Sequence, residues 1–156
     1  MEDQVTNRIA KKVKTVLEAM TDTVNGQEEV IFEKVTIGRQ DKIGQYKKAT
    51  AEVMIDDEDN FLYTFQKHHK SRDTIVMISI FVKGLTETAE LKKLNIKDLV
   101  ITELEDNPTF DASAITSQIL TAQNGVRVEG MGKSAKMYSA ARIITKIKLS
   151  NPPGNI

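Results

Sequence analysis

The stretch "EGMGKSAK", Glu129–Lys136, ends in Gly-Lys-Ser, which is how a phosphate-binding loop ends. In G-x-x-x-x-G-K-[ST] the glycines let backbone N–H groups curl round the phosphates, the lysine reaches the β- and γ-phosphates, and the hydroxyl holds Mg²⁺. That spacing requires glycine at position 127, where Arg127 stands; Gly125 and Gly130 are out of register. The loop must also lie between a strand and a helix. His68-His69 is the next candidate, but adjacent residues of a strand point to opposite faces and do not readily share a metal. In "DDEDN", taking Asp56 as the first ligand of a calcium loop puts Phe61 where glycine is needed and Lys67 where the bidentate glutamate belongs. Asp98 and Glu103 have no evident acid–base partner, and Ser113, Ser117 and Ser134 lack a nucleophile-elbow context. No residue pattern gives positive evidence for catalysis, a cofactor or a metal.

Composition narrows the classes further. The 156 residues predict one α+β domain over 1–150 with a flexible tail over 151–156. Twenty-two basic residues balance twenty-two acidic ones, so global charge does not suggest a nucleic-acid binder. With no cysteine, disulfides, thiol catalysis and zinc–thiolate sites are excluded. The polar, acidic N-terminus does not resemble a signal peptide, and no apolar run approaches the roughly 20 residues that span a bilayer. The expectation is a soluble protein, assembled in a cytoplasm.

Periodicity sets out the elements. Val5, Ile9, Val13, Val16, Leu17 and Met20 recur at spacings of three and four, predicting a helix over 4–21 capped by Asp3 or Thr6. Asn25-Gly26 marks a stop and a turn. Period two then predicts strands at Glu29–Ile37, Gln45–Ile55 and Phe61–Gln66, with a polar loop over 38–45 and an acidic turn over 56–60. Thr74–Lys83, "TIVMISIFVK", is apolar on both faces and belongs in the middle of a covered sheet. Thr86 or Thr88 caps a short turn bearing Leu91 and Leu94. A second helix, capped by Asn95, carries Ile96, Leu99, Val100 and Leu104 and stops before Pro108. Ser113–Thr121 fits a strand or a short helix, with strand preferred, and the glycine-bearing stretch 123–134 reads as a loop. The β-branched run in "AKMYSAARIITKIKLS" predicts a last strand, so a strand and not a helix follows Gly-Lys-Ser. Mostly antiparallel strands with helices on one face make an α+β arrangement.

This order resembles the tail terminator (tail completion) proteins of long-tailed bacteriophages. The residues that carry the likeness are an amphipathic N-terminal helix, a β-meander, "TIVMISIFVK" leading into "LNIKDLVITELEDNP", the short "NPTFDAS", and the closing strand "ARIITKIKLS". The likeness implies a structural virion protein of the tail or neck, not an enzyme, assembled in the host cytoplasm. It would form a homo-oligomeric ring, a hexamer, capping the tail tube and contacting the tail-tube and head-connector proteins, with DNA passing through. Closed rings use heterologous contacts, one patch meeting a different patch on the neighbour. The residues marked for such contacts are Arg39, Asp41, Lys42, Asp56, Asp57, Asp59, Lys67, Lys70, Arg72, Arg127 and Lys133, with the loops 38–45 and 123–134 ordering on assembly. A rival reading is a small nucleic-acid or acidic-ligand module using Lys67, Lys70, Arg72, Lys133 and Lys136. A third is a small enzyme or ligand-binding domain, which would need a concave pocket with convergent polar groups.

Overall fold

The computed structural model describes residues 5–40, 42–43, 46–55, 60–63, 70–110, 114 and 116–151. Helix α1 (Val5–Ala19) turns Ile9, Val13 and Leu17 wholly inward and leaves Lys11 and Glu18 exposed. It ends two residues earlier than the expected 21, because Met20 leaves the helix to bury its own side chain. Thr6 falls inside the first turn, while Asp3 lies outside the described residues.

The expected stop at Asn25-Gly26 is a hairpin. Strands β1 (Thr21–Val24) and β2 (Gln27–Val30) pair antiparallel across it, Val24 opposite Gln27. Asn25 and Gly26 both take positive φ, 51° and 80°. This is the two-residue turn whose twist matches that of the flanking strands. The strand expected over Glu29–Ile37 is therefore two: Ile31 interrupts it, buried at the base of the hairpin, before β3 (Phe32–Ile37).

The main sheet runs β3, β4 (Ala49–Ile55), β6 (Lys70–Lys83), β8 (Lys136–Asn151), β7 (Thr116–Glu129), with β5 (Asn60–Tyr63) also pairing β6. Every pairing is antiparallel except β3 with β4. Strand β4 begins four residues later than expected, and the acidic turn and residues 64–66 lie outside the described residues. Strand β6 is central, as its apolar faces require. Val76, Ile78, Ile80 and Val82 join Ala141, Ile143, Ile147 and Leu149 of β8 under the helices.

Helix α2 (Glu87–Asp106) is one continuous element, not a turn followed by a helix capped at Asn95. The Thr86 hydroxyl accepts the Ala89 N–H at 3.2 Å, and Glu87 and Glu90 favour the positive end of the helix dipole. Ala89, Lys93, Ile96, Val100 and Leu104 form the buried stripe; Asn95 is exposed. Lys93, a cation in that stripe, ion-pairs with Glu90. Asn107 closes the helix before Pro108, and the following turn drives Phe110 fully into the core at φ 46°. That is the physical content of "NPTF": a helix stop that seats an aromatic plug.

The strand preferred over 113–121 is present from Thr116 and runs on through 129, while 113 and 115 lie outside the described residues. Residues 123–129, expected as loop, are ladder. Gly132–Ser134 forms a single 3-10 turn into β8, so no helix begins there and the phosphate-loop geometry is absent. Strand β8 reaches Asn151, one residue into the expected tail.

Candidate functional site

Both helices pack on one face of the sheet, and the opposite face carries the densest polar cluster. Because β3 and β4 are parallel neighbours, the chain between them must cross a face. It crosses the face without helices. The Gln40 N–H donates to Glu52 Oε2 at 2.7 Å, and the Gln40 amide donates to the Ala51 carbonyl at 3.4 Å. Further along, the Ile43 N–H donates to Glu129 Oε1 at 3.0 Å, and Ile43 buries against Phe81 and Tyr138.

Arg127 ties this crossover to the far edge of the sheet. Its Nη1 donates to Glu52 at 2.8 Å, its Nη2 to the Gln40 carbonyl at 3.0 Å, and Glu129 lies 3.7 Å away. The guanidinium also sits 4.7 Å from the centre of the Phe81 ring, where the negative ring face favours a cation. Glu52 is 3% exposed. A buried carboxylate is tolerated only when paired and hydrogen-bonded, and Arg127 together with the Gln40 N–H meets that condition.

A bulge makes this meeting possible. The β7–β8 register shifts between Ile119 and Thr121, with Leu120 exposed. Before the shift, the odd residues Ser117 and Ile119 oppose Ile147 and Thr145 on the helix side. After it, Gln123, Gly125, Arg127 and Glu129 oppose Arg142, Ala140, Tyr138 and Lys136 on the other side. Without the extra residue Arg127 would point toward the helices.

Around the cluster lies a cleft of about 510 Å³ whose lining includes Arg39, Arg127, Arg142, Glu52, Met54 and Phe81. A second hollow shares Arg39 and Arg127 and adds Lys42, Glu129 and Lys136. Five cations against two carboxylates leave the pair of hollows at about +3. Arg39 and Arg142 are exposed, and neither has an ion-pair partner among the described residues. Tyr138 lies beneath. Burial first, then the Glu129 carboxylate, push its phenol above the ordinary value, while Arg127 pulls the other way. Its hydroxyl is buried, and the Glu129 carboxylate is near enough to act on it without forming a well-aligned hydrogen bond.

Of the marked residues, Arg39, Lys42 and Arg127 come together here. Arg127, however, is a structural tie and not a free contact residue. The described part of loop 38–45 is held to the sheet through Gln40 and Ile43. Lys133 is exposed on the turn between β7 and β8. Lys70 and Arg72 sit at the start of β6, opposite Tyr63 and Phe61 of β5. Asp41, Asp56, Asp57, Asp59 and Lys67 lie outside the described residues, as does His68-His69.

Glu52, Glu129, Gln40, Phe81, Tyr138 and Arg142 were not picked out as site residues. Glu52 did leave a signal: a lone charge between Ala51 and Val53 in an apolar strand requires a partner. Nothing in the sequence identifies that partner, 75 residues away. No protein-family model matches the chain, and no curated protein matches it in sequence.

Proposed function

We propose that the protein is a structural assembly component of a virion, similar to a phage tail terminator: a ring that caps the tail tube and joins it to the head connector. Strand β7 carries this reading. Fourteen residues long, it closes the sheet with one side of its backbone unpaired among the described residues, and Val126, Val128 and Met131 near its tip are exposed, Met131 to 88%. A long edge with apolar side chains is a template for another chain unless something covers it. Met137, opposite Val128 on β8, extends the apolar surface. Where such an edge meets a different surface on the next subunit and the rotation closes, repetition of the contact makes a ring.

The test is mass and shape. Light scattering and negative-stain microscopy should find concentration-dependent rings, or a monomer that assembles when tail tubes are added. A monomer indifferent to both sinks the reading. The positive balance of the cleft favours a second reading, an acidic-ligand or nucleic-acid module. That one expects DNA binding which weakens steeply with salt as phosphate contacts release counterions.

A further inference from the structure

The hairpin β1–β2 stands apart from the rest of the molecule. It is a separate two-stranded sheet, and all eight of its strand residues are exposed. At its base the Ile31 N–H donates to the Met20 carbonyl at 3.1 Å, and Glu29 pairs with Lys48 at 3.8 Å on the surface. An isolated two-stranded hairpin is marginal in water, because it has no second layer to bury against. Here the cross-strand pairing adds a cost: Asp22 stands directly opposite Glu29, and like charges in that position repel. The arm carries Asp22, Glu28 and Glu29 with no basic residue, a charge of −3, together with exposed Val24 and Val30. The cleft on the helix-free face carries the opposite balance, and Arg39 and Arg142 there have no ion-pair partner among the described residues.

We infer that the β1–β2 arm of one copy docks in the Arg39–Arg142 cleft of the next copy. The inference rests on the assembly reading above and adds a second pair of contact surfaces beside the β7 edge. Charge complementarity selects the occupant. Asp22 gains a cation that it lacks among the described residues, the two arginines gain carboxylates, and Val24, on the same hairpin face as Asp22 and Glu29, meets the half-buried Met54 at the cleft wall. The two surfaces differ, so the contact is heterologous and its direction is fixed: every copy gives an arm and receives one.

That polarity supplies the test. An arm variant, Asp22→Lys with Glu29→Lys, and a cleft variant, Arg39→Glu with Arg142→Glu, each set like charges against each other in self-assembly. Mixed in equal amounts, each reversed surface meets a complementary one, and rings of alternating copies become possible. The four positions are exposed and outside the Arg127–Glu52 tie, so both variants should unfold at the wild-type midpoint. Light scattering, with tail tubes where the wild type needs them, should show each variant requiring more than about tenfold higher concentration to assemble. The mixture should recover the wild-type mass. Variants that assemble alone like the wild type overturn the arm–cleft contact and leave the assembly reading standing. A wild type that stays monomeric with and without tubes overturns both. DNA binding abolished by the cleft variant, with assembly unmoved, assigns the cleft to phosphate and also overturns the contact.

Discussion

Two polar stretches of similar length flank β3, and they behave oppositely. The crossover between β3 and β4 carries Ile43 and the Gln40 backbone to the sheet, and both are held. The β1–β2 arm has better local chemistry, with an Asn-Gly turn and complete pairing, yet it touches solvent on every strand residue. Local propensity made the arm a hairpin without giving it a place. The crossover has little regular structure but owns one apolar anchor and one buried charge network. Burial, more than secondary structure, decides which of the two is fixed.

Breaking the crossover's tie should have the largest effect. Glu52→Ala leaves Arg127 without its buried counter-charge and the Gln40 N–H without its acceptor. The expected loss is about 3 kcal/mol or more, read by denaturant unfolding. A loss comparable to a surface substitution would mean that the network does not hold the face together. Next, Ile43→Ala should cost about 2 kcal/mol by emptying the contact with Phe81 and Tyr138. Hydrogen exchange should place the loosening in the crossover and at the tip of β7.

The same treatment of the arm should stay local. Gly26→Ala forces a side chain into φ 80° and should weaken the hairpin by about 1 kcal/mol. Amide protection over residues 21–30 should fall while the global midpoint holds. A matching global shift would show that the arm is part of the cooperative fold after all.

The smallest effect concerns Tyr138. Its hydroxyl is buried without a well-formed hydrogen bond, so Tyr138→Phe removes a desolvation cost and should raise stability at pH 7, by no more than about 1 kcal/mol. A further difference emerges in alkali. The folded phenol holds its proton above the ordinary value of 10.0, so the unfolded chain ionises first and folding stability falls as pH rises past that value. The phenylalanine variant should show a shallower alkaline decline in unfolding titrations. Parallel curves would mean that Tyr138 does not titrate differently in the folded state.

Much of the fold was legible because it follows from periodicity. The inward stripe of α1, the apolar run of β6 and the β-branched run of β8 each predict burial; Ile9, Val13, Leu17, Val76, Ile78, Ile80, Ile143 and Ile147 are buried, whereas Val16, Ile75 and Met77 are half-buried and Met137 is exposed. The helix stop before Pro108 was equally plain. Errors arose where two signals competed. Asn25-Gly26 marks both a stop and a hairpin, and the stop reading hid β1. Asn95 is a good cap, but Thr86 upstream already served α2, so the helix ran through it. Gly125 and its polar neighbours spelled a loop, whereas pairing with β8 extended β7 through them.

The site was less legible than the fold. Arg39, Lys42 and Arg127 were marked as charges on loops, yet their meeting depends on distant chain. By itself the sequence determined the two helical segments and most of the strands, the sheet's apolar face and the failure of the phosphate-loop spacing. These depend on residues within a few positions of one another. The tertiary structure decided that β3 and β4 lie parallel, which sends the crossover over the helix-free face. It also decided that one extra residue at Leu120 turns Arg127 toward Glu52. The reason is geometric: a strand alternates its faces at every residue, so a single bulge reverses the facing of all that follows, and only the pairing partner shows where it falls.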